Sequence, residues 1–162
     1  MSLFANDRYQ WRETYFVLFD HRIRPQATAV KRALDELAPR IEVQELVANA
    51  AGALESMTVL CHADAAGMDL IYVEGDEVKE QVAQIKQDTK GRAIDPKQRP
   101  HWDRVLSATA RFDIFHFEEI SDLPDEEDDG PLDPGTLLLV RNRLARLCQG
   151  ESLDPQTGEL LE

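Results

Sequence analysis

Residues 14–20 have the sequence Thr-Tyr-Phe-Val-Leu-Phe-Asp. Aromatic and β-branched side chains fill both alternating faces of this run, which is typical of a strand that is covered on both sides. We therefore predict a central strand at this position. Helices should pack on one of its faces, and some other element should cover the second.

The sequence predicts three main helices and one further short helix. Val30, Leu34 and Leu37 follow the i, i+4, i+7 pattern of one helical face, and Ala38-Pro39 ends that helix. A second helix opens at Glu74-Gly75-Asp76-Glu77, whose three acidic side chains suit the positive end of a helix dipole. The other two helices are predicted for residues 101–107 and from Asp133 to Gly150.

Further strands are predicted for residues 56–62, 68–73 and 110–117, and the glycine between the first two suits a hairpin. Residues 41–47 form either an extra strand or an edge piece. Without them the order is β-α-β-β-α-β, the split βαβ arrangement. We thus expect an α+β fold, a ferredoxin-like two-layer sandwich with an antiparallel sheet, helices on one face and an added C-terminal helix. The bare face would be covered by that helix or by a second subunit.

Length and composition predict one domain over residues 1–162. The 162 residues include 43% hydrophobic side chains, enough to bury a core without metal or disulfide support. Two segments are expected to lie outside that core. Residues 122–133 carry a dense run of like charges between prolines and should form a mobile acidic loop, and residues 151–162 have the composition of a C-terminal tail with a turn.

The formal net charge of −13 is unevenly distributed. Residues 41–78 and 112–135 contain only acidic charges, whereas residues 79–111 carry eight Lys or Arg against four Asp or Glu. The overall balance argues against nucleic-acid and membrane partners, because phosphate groups would be repelled over most of the surface. A chain with this negative net charge can still have a local basic surface around residues 79–111. The simpler interpretation is that these basic residues form a solvated helix face.

The N-terminal sequence lacks the apolar core of a secretory signal, and no run approaches the roughly 18 apolar residues of a membrane span. We therefore expect a cytoplasmic protein. Cys61 and Cys148 lie in apolar patterns far apart in the sequence, so we predict that both are buried free thiols.

Four polar residues near predicted strand ends form the candidate ligand site: His62, Asp64, Asp113 and His116. Histidine and aspartate side chains suit acid–base chemistry or metal binding when they converge. None of the spacings typical of a metal site or catalytic motif is present, so we predict no metal, no cofactor and no assigned catalytic residue.

These observations favour a non-enzymatic module that acts by protein association, as a homodimer, an adaptor or a sensor subunit. Its interaction surface is predicted to include the aromatic residues Trp102, Phe115 and Phe117. The alternative is a small enzyme, or a domain that binds a small ligand or a metal, with a pocket near the four candidate site residues.

Overall fold

The computed structural model describes residues 2–120 and 135–161. The described residues form four α-helices and one seven-stranded antiparallel sheet, which confirms the α+β class. The strands are β1 (Tyr9–Phe19), β2 (Glu42–Ala48), β3 (Leu54–Cys61), β4 (Ala66–Glu74), β5 (Ala110–Glu119), β6 (Glu151–Asp154) and β7 (Glu159–Leu161). The helices are α1 (Ala27–Asp35), α2 (Asp76–Thr89), α3 (Arg99–Leu106) and α4 (Gly135–Cys148).

The strand order across the sheet is β2-β3-β4-β5-β1-β6-β7, which is not a ferredoxin-like order. That part of the prediction is wrong because β1 lies between β5 and β6 and pairs antiparallel with both of them. The sequence pattern located β1 as a central strand, but it placed the residues of β6 in a tail.

Helices cover both faces of the sheet. Val17 and Phe19 of β1 pack with α1 and α4, whereas Phe16 and Leu18 pack with α2 and α3. Because successive side chains of a strand point to opposite faces, these helix pairs lie on opposite sides. We call the two sides the α1/α4 face and the α2/α3 face. The prediction of helices on one face is therefore corrected, and the helices of this chain itself provide the second cover.

The predicted C-terminal tail forms two strands instead. Leu153 of β6 pairs with Phe16 of β1 and is buried on the α2/α3 face. Asp154 closes the turn to β7, because its backbone carbonyl accepts from Gly158 N at 2.8 Å and its side chain accepts from Gln156 N at 2.9 Å. A four-residue strand gains its stability from the neighbour that it pairs with, which local composition does not reveal.

The segment predicted as residues 41–47 is strand β2, at the edge of the sheet. The predicted hairpin between β3 and β4 is also present. Its left-handed residue is Ala65, with φ of 50°, and not the glycine. Gly67 is needed for close packing instead, since a Cβ there would stand 2.7 Å from Leu3 Cδ1.

A short N-terminal segment completes the α2/α3 face. Leu3 is buried against Leu60 and Phe117. The carboxylate of Asp69, itself buried, accepts hydrogen bonds from Leu3 N at 3.0 Å and from Thr58 Oγ1 at 2.8 Å. These bonds hold the segment on the sheet at the end opposite α2 and α3.

The predicted acidic loop, residues 122–133, lies outside the described residues. Among the helices of residues 2–120 and 135–161, none is long and apolar enough to cross a membrane.

Candidate functional site

A groove of about 650 Å³ lies between α2 and α3. Both helices and the segment that joins them line it. This volume falls within the range of roughly 300–1,000 Å³ that is usual for ligand sites. The lining residues are Ala83, Lys86, Gln87, Thr89, Lys90, Gly91, Arg92, Ile94, Arg99, Trp102, Asp103 and Leu106.

Local sequence signals explain why the chain turns back on itself here. α2 begins with two acidic residues in its first turn, and Gly91, with φ of 83°, follows its last turn. Asp95 then organises a turn by accepting from Lys97 N at 3.0 Å through its side chain. Pro100 lies in the first turn of α3, where a backbone N–H has no partner within the helix. Proline has no N–H and therefore suits this position.

The two helices are fixed on the sheet by an apolar cluster. Val78 of α2 and Val105 of α3 are fully buried, and Trp102 is 8% exposed. All three pack in one cluster with Leu18 of β1 and Leu153 of β6. The floor of the groove is therefore held by the core of the protein.

Positive charge is concentrated around this groove. Lys86, Lys90 and Arg92 are exposed, and they form no ion pair within residues 2–120 and 135–161. Arg99 has one partner, Asp103, at 3.6 Å, and both of these side chains are exposed. The groove is thus a cationic surface with an apolar floor on a protein whose net charge is −13.

On the opposite flank of α3, two basic side chains contact a carboxylate of the protein itself. His101 Nδ1 lies 2.9 Å from Glu151 Oε1, and Arg104 Nη1 donates to the same oxygen at 3.0 Å. The Glu151 side chain is only 11% exposed, so this carboxylate ties α3 to β6. Arg104 is therefore paired within the protein, in contrast to Lys86, Lys90 and Arg92 of the groove.

Asp113, one of the predicted ligand residues, belongs to a buried ion-pair network. Arg111 Nε donates to Asp113 Oδ1 at 2.6 Å, and its two other nitrogens reach Gln81 and Glu77 of α2 at 2.6 and 2.8 Å. The guanidinium also lies 4.6 Å from the ring of Phe16. Burial raises the pKa of Asp113, although Arg111 opposes that shift. Arg111 therefore anchors α2 to the sheet, and Asp113 holds the Arg111 guanidinium in place.

His116 is 2% exposed and lies on the opposite, α1/α4 face. Its Nδ1 is 3.3 Å from Glu13 Oε1, while Glu13 Oε2 accepts from the Tyr15 hydroxyl at 3.0 Å. Burial lowers the pKa of His116, and the nearby Glu13 carboxylate counteracts this effect. Burial and the hydrogen bond to Glu13 raise the pKa of Tyr15 to about 12.

The other two predicted ligand residues follow β3. Asp64 accepts a hydrogen bond from the hydroxyl of Thr136 on α4. His62 is exposed and its Nε2 lies 2.9 Å from Glu42 on β2. The four predicted residues thus do not meet in one cleft, because Asp113 faces the other side of the sheet and His62 points to the β2 edge. No group of three or more possible metal ligands occurs in the described ranges.

The three predicted interaction residues separate into two places. Phe117 is 1% exposed and packs beneath Phe4, with ring centroids 4.8 Å apart. Phe115 is half-buried beside the same ring. Trp102 lines the groove. The sequence signal that marks this site is the basic segment 79–111 together with Trp102.

Both thiols are free and buried, as the sequence predicts. Burial raises the pKa of Cys61 and of Cys148 to about 12. Each therefore stays protonated near neutral pH and is a poor nucleophile.

A scan against protein-family models, a search of curated proteins and a search of solved structures found no match to this chain.

Proposed function

We propose that this chain is a non-catalytic binding module that recognises an anionic ligand through the groove between α2 and α3. One observation carries the proposal: Lys86, Lys90 and Arg92 surround the groove without an ion pair in the described part of an acidic protein.

The positions of the cations support a role in binding. The negative end of the α2 dipole stabilises Lys86 and Lys90, so helix stability alone explains why these two cations lie there. It does not account for Arg92 in the connecting segment. Arg99 stands at the first residue of α3, where the positive end of the dipole disfavours a cation. An anionic ligand gives Arg92 a partner, and it gives Arg99 a second one besides Asp103.

We keep the predicted mode of action, which is association without catalysis. Of the three predicted interaction residues, only Trp102 belongs to the proposed binding surface. The predicted homodimer, the adaptor role and the cytoplasmic location stay predictions. Light scattering on the purified chain measures the oligomeric state independently of ligand binding.

Titration with poly-L-glutamate, followed by calorimetry at low and moderate salt, tests the proposal. The variant Lys86→Glu/Arg92→Glu reverses two groove charges, whereas Lys79→Glu/Lys97→Glu makes the same change in net charge outside the groove lining. We expect the groove variant to lose at least about tenfold in affinity, because it replaces two attractions with two repulsions. The control should stay within roughly threefold. Equal losses, or no binding by the wild type at low salt, overturn the proposal.

A further inference from the structure

We infer that the ligand of this groove is an acidic segment of a partner protein that carries apolar side chains between its carboxylates. The inference rests on the proposed function and names the class of ligand. It is supported by the floor of the groove, by the distribution of the cations around it and by the donors available there.

The floor of the groove is apolar. Ile94 and Leu106 are half-buried and line the groove with Trp102, and Ile94 packs against the buried cluster that contains Trp102. A ligand made only of charges leaves this surface in contact with water. A leucine or phenylalanine side chain of the ligand buries it and gains affinity from that burial.

The cations are distributed over three elements instead of converging on one point. Lys86 belongs to α2, Lys90 and Arg92 to the connecting segment and Arg99 to α3. Separate charges of this kind match several carboxylates along an extended chain. Asp103, also in the lining, works against a ligand with dense negative charge.

Few of the donors that usually bind a compact phosphate border this groove. The end of α2 that borders it is its carbonyl end, the first turn of α3 contains Pro100, which has no N–H, and the Thr89 hydroxyl already donates to Ile85 O at 2.9 Å. A phosphate site normally offers several backbone N–H groups or a helix N-terminus with free donors. A nucleic acid extends beyond the groove, where the net charge of −13 repels its phosphates.

Competition experiments with four unlabelled probes separate the ligand classes. Each probe displaces fluorescent poly-L-glutamate from the intact chain, and fluorescence anisotropy follows the displacement. The probes are a peptide of alternating Glu and Leu, the same peptide with Ser at each Leu position, an oligothymidylate of equal charge and inorganic phosphate. We expect the Glu–Leu peptide to bind at least about tenfold more tightly than the Glu–Ser peptide, because burial of one leucine side chain is worth that much. The oligothymidylate and phosphate should bind more weakly than either peptide.

A variant of the floor tests the position of the apolar contact. Ile94→Ser should reduce affinity for the Glu–Leu peptide roughly tenfold and leave that for the Glu–Ser peptide unchanged. Ile94→Val, which keeps an apolar floor, serves as the matched control, and melting curves verify that each variant folds.

The same measurements distinguish failure of this inference from failure of the anion-binding proposal. Equal binding of both peptides, or tightest binding of oligothymidylate or phosphate, overturns the inference and leaves the anion-binding proposal standing. Absence of binding by all four probes overturns both.

Discussion

Replacing Arg111 by methionine should destabilise the protein by about 3–5 kcal/mol, the usual cost of breaking a buried ion pair. Arg111 and Asp113 are 6% and 8% exposed, and their closest contact is 2.6 Å. The substitution leaves the Asp113 carboxylate buried without its cation. The ion pair between Arg111 and Glu77 contributes little to the free energy of unfolding, because the Glu77 side chain is 67% exposed and water screens the interaction.

Urea unfolding at several pH values tests the origin of this loss. Burial already raises the pKa of folded Asp113 above its ordinary 3.8, and removal of Arg111 takes away the opposing interaction. A group whose folded pKa exceeds its unfolded pKa stabilises the protein as the pH falls through the folded value. The difference in free energy of unfolding between wild type and Arg111→Met should therefore shrink as the pH falls from neutral toward 4.

The double variant Arg111→Met/Asp113→Leu serves as the control, because it removes both charges and preserves apolar volume. We expect it to recover most of the stability that the single variant loses. A loss below about 1 kcal/mol in Arg111→Met, or a loss that does not change with pH, would refute this account of the network.

Three further predictions concern other parts of the molecule. The pKa of His116 is lowered by burial, so the free energy of unfolding should decrease as the pH falls below about 6.5, and His116→Gln should flatten that decrease. Gly150→Ala should cost about 1–3 kcal/mol in urea unfolding, because the added Cβ would stand 2.8 Å from Val17 Cγ1. Cys61 and Cys148, with pKa values of about 12, should react with a thiol reagent at pH 8 only after unfolding, as absorbance will show.

Each of these predictions has a control or a contrary result. A pH profile that His116→Gln leaves as steep as in the wild type would contradict the first prediction. A Gly158→Ala variant meets no atom within 4 Å, so its cost should come from the backbone strain at φ of 71° alone. Rapid labelling of the native protein would show that a thiol is accessible.

Apolar patterning predicted the elements of this fold better than their arrangement. The spacing of Val30 and Leu34 and the aromatic run of β1 are local signals, and both elements formed where they were expected. Strand order depends on which strands pair, and the decisive strand, β6, has only four residues. Pairing with β1 buries Leu153, a gain that only the three-dimensional arrangement provides.

Charge counting found the basic segment, but it could not identify the cations that form a site. Arg111 lies buried beside Asp113, and Arg104 is bound to Glu151. Lys86 and Arg92 instead border the groove. These residues are equivalent in a count of charges, and their different roles follow from partners that are distant in sequence.

The two tryptophans provide the most direct test of the groove as the binding site, because Trp102 lines it and Trp11 lies on the outer part of β1. In a two-dimensional NMR titration with the Glu–Leu peptide, each tryptophan contributes one indole N–H signal. We predict that the Trp102 signal shifts in proportion to the bound fraction while the Trp11 signal stays in place. A shift of Trp11 alone, or of neither signal at saturating peptide, would contradict binding in the groove.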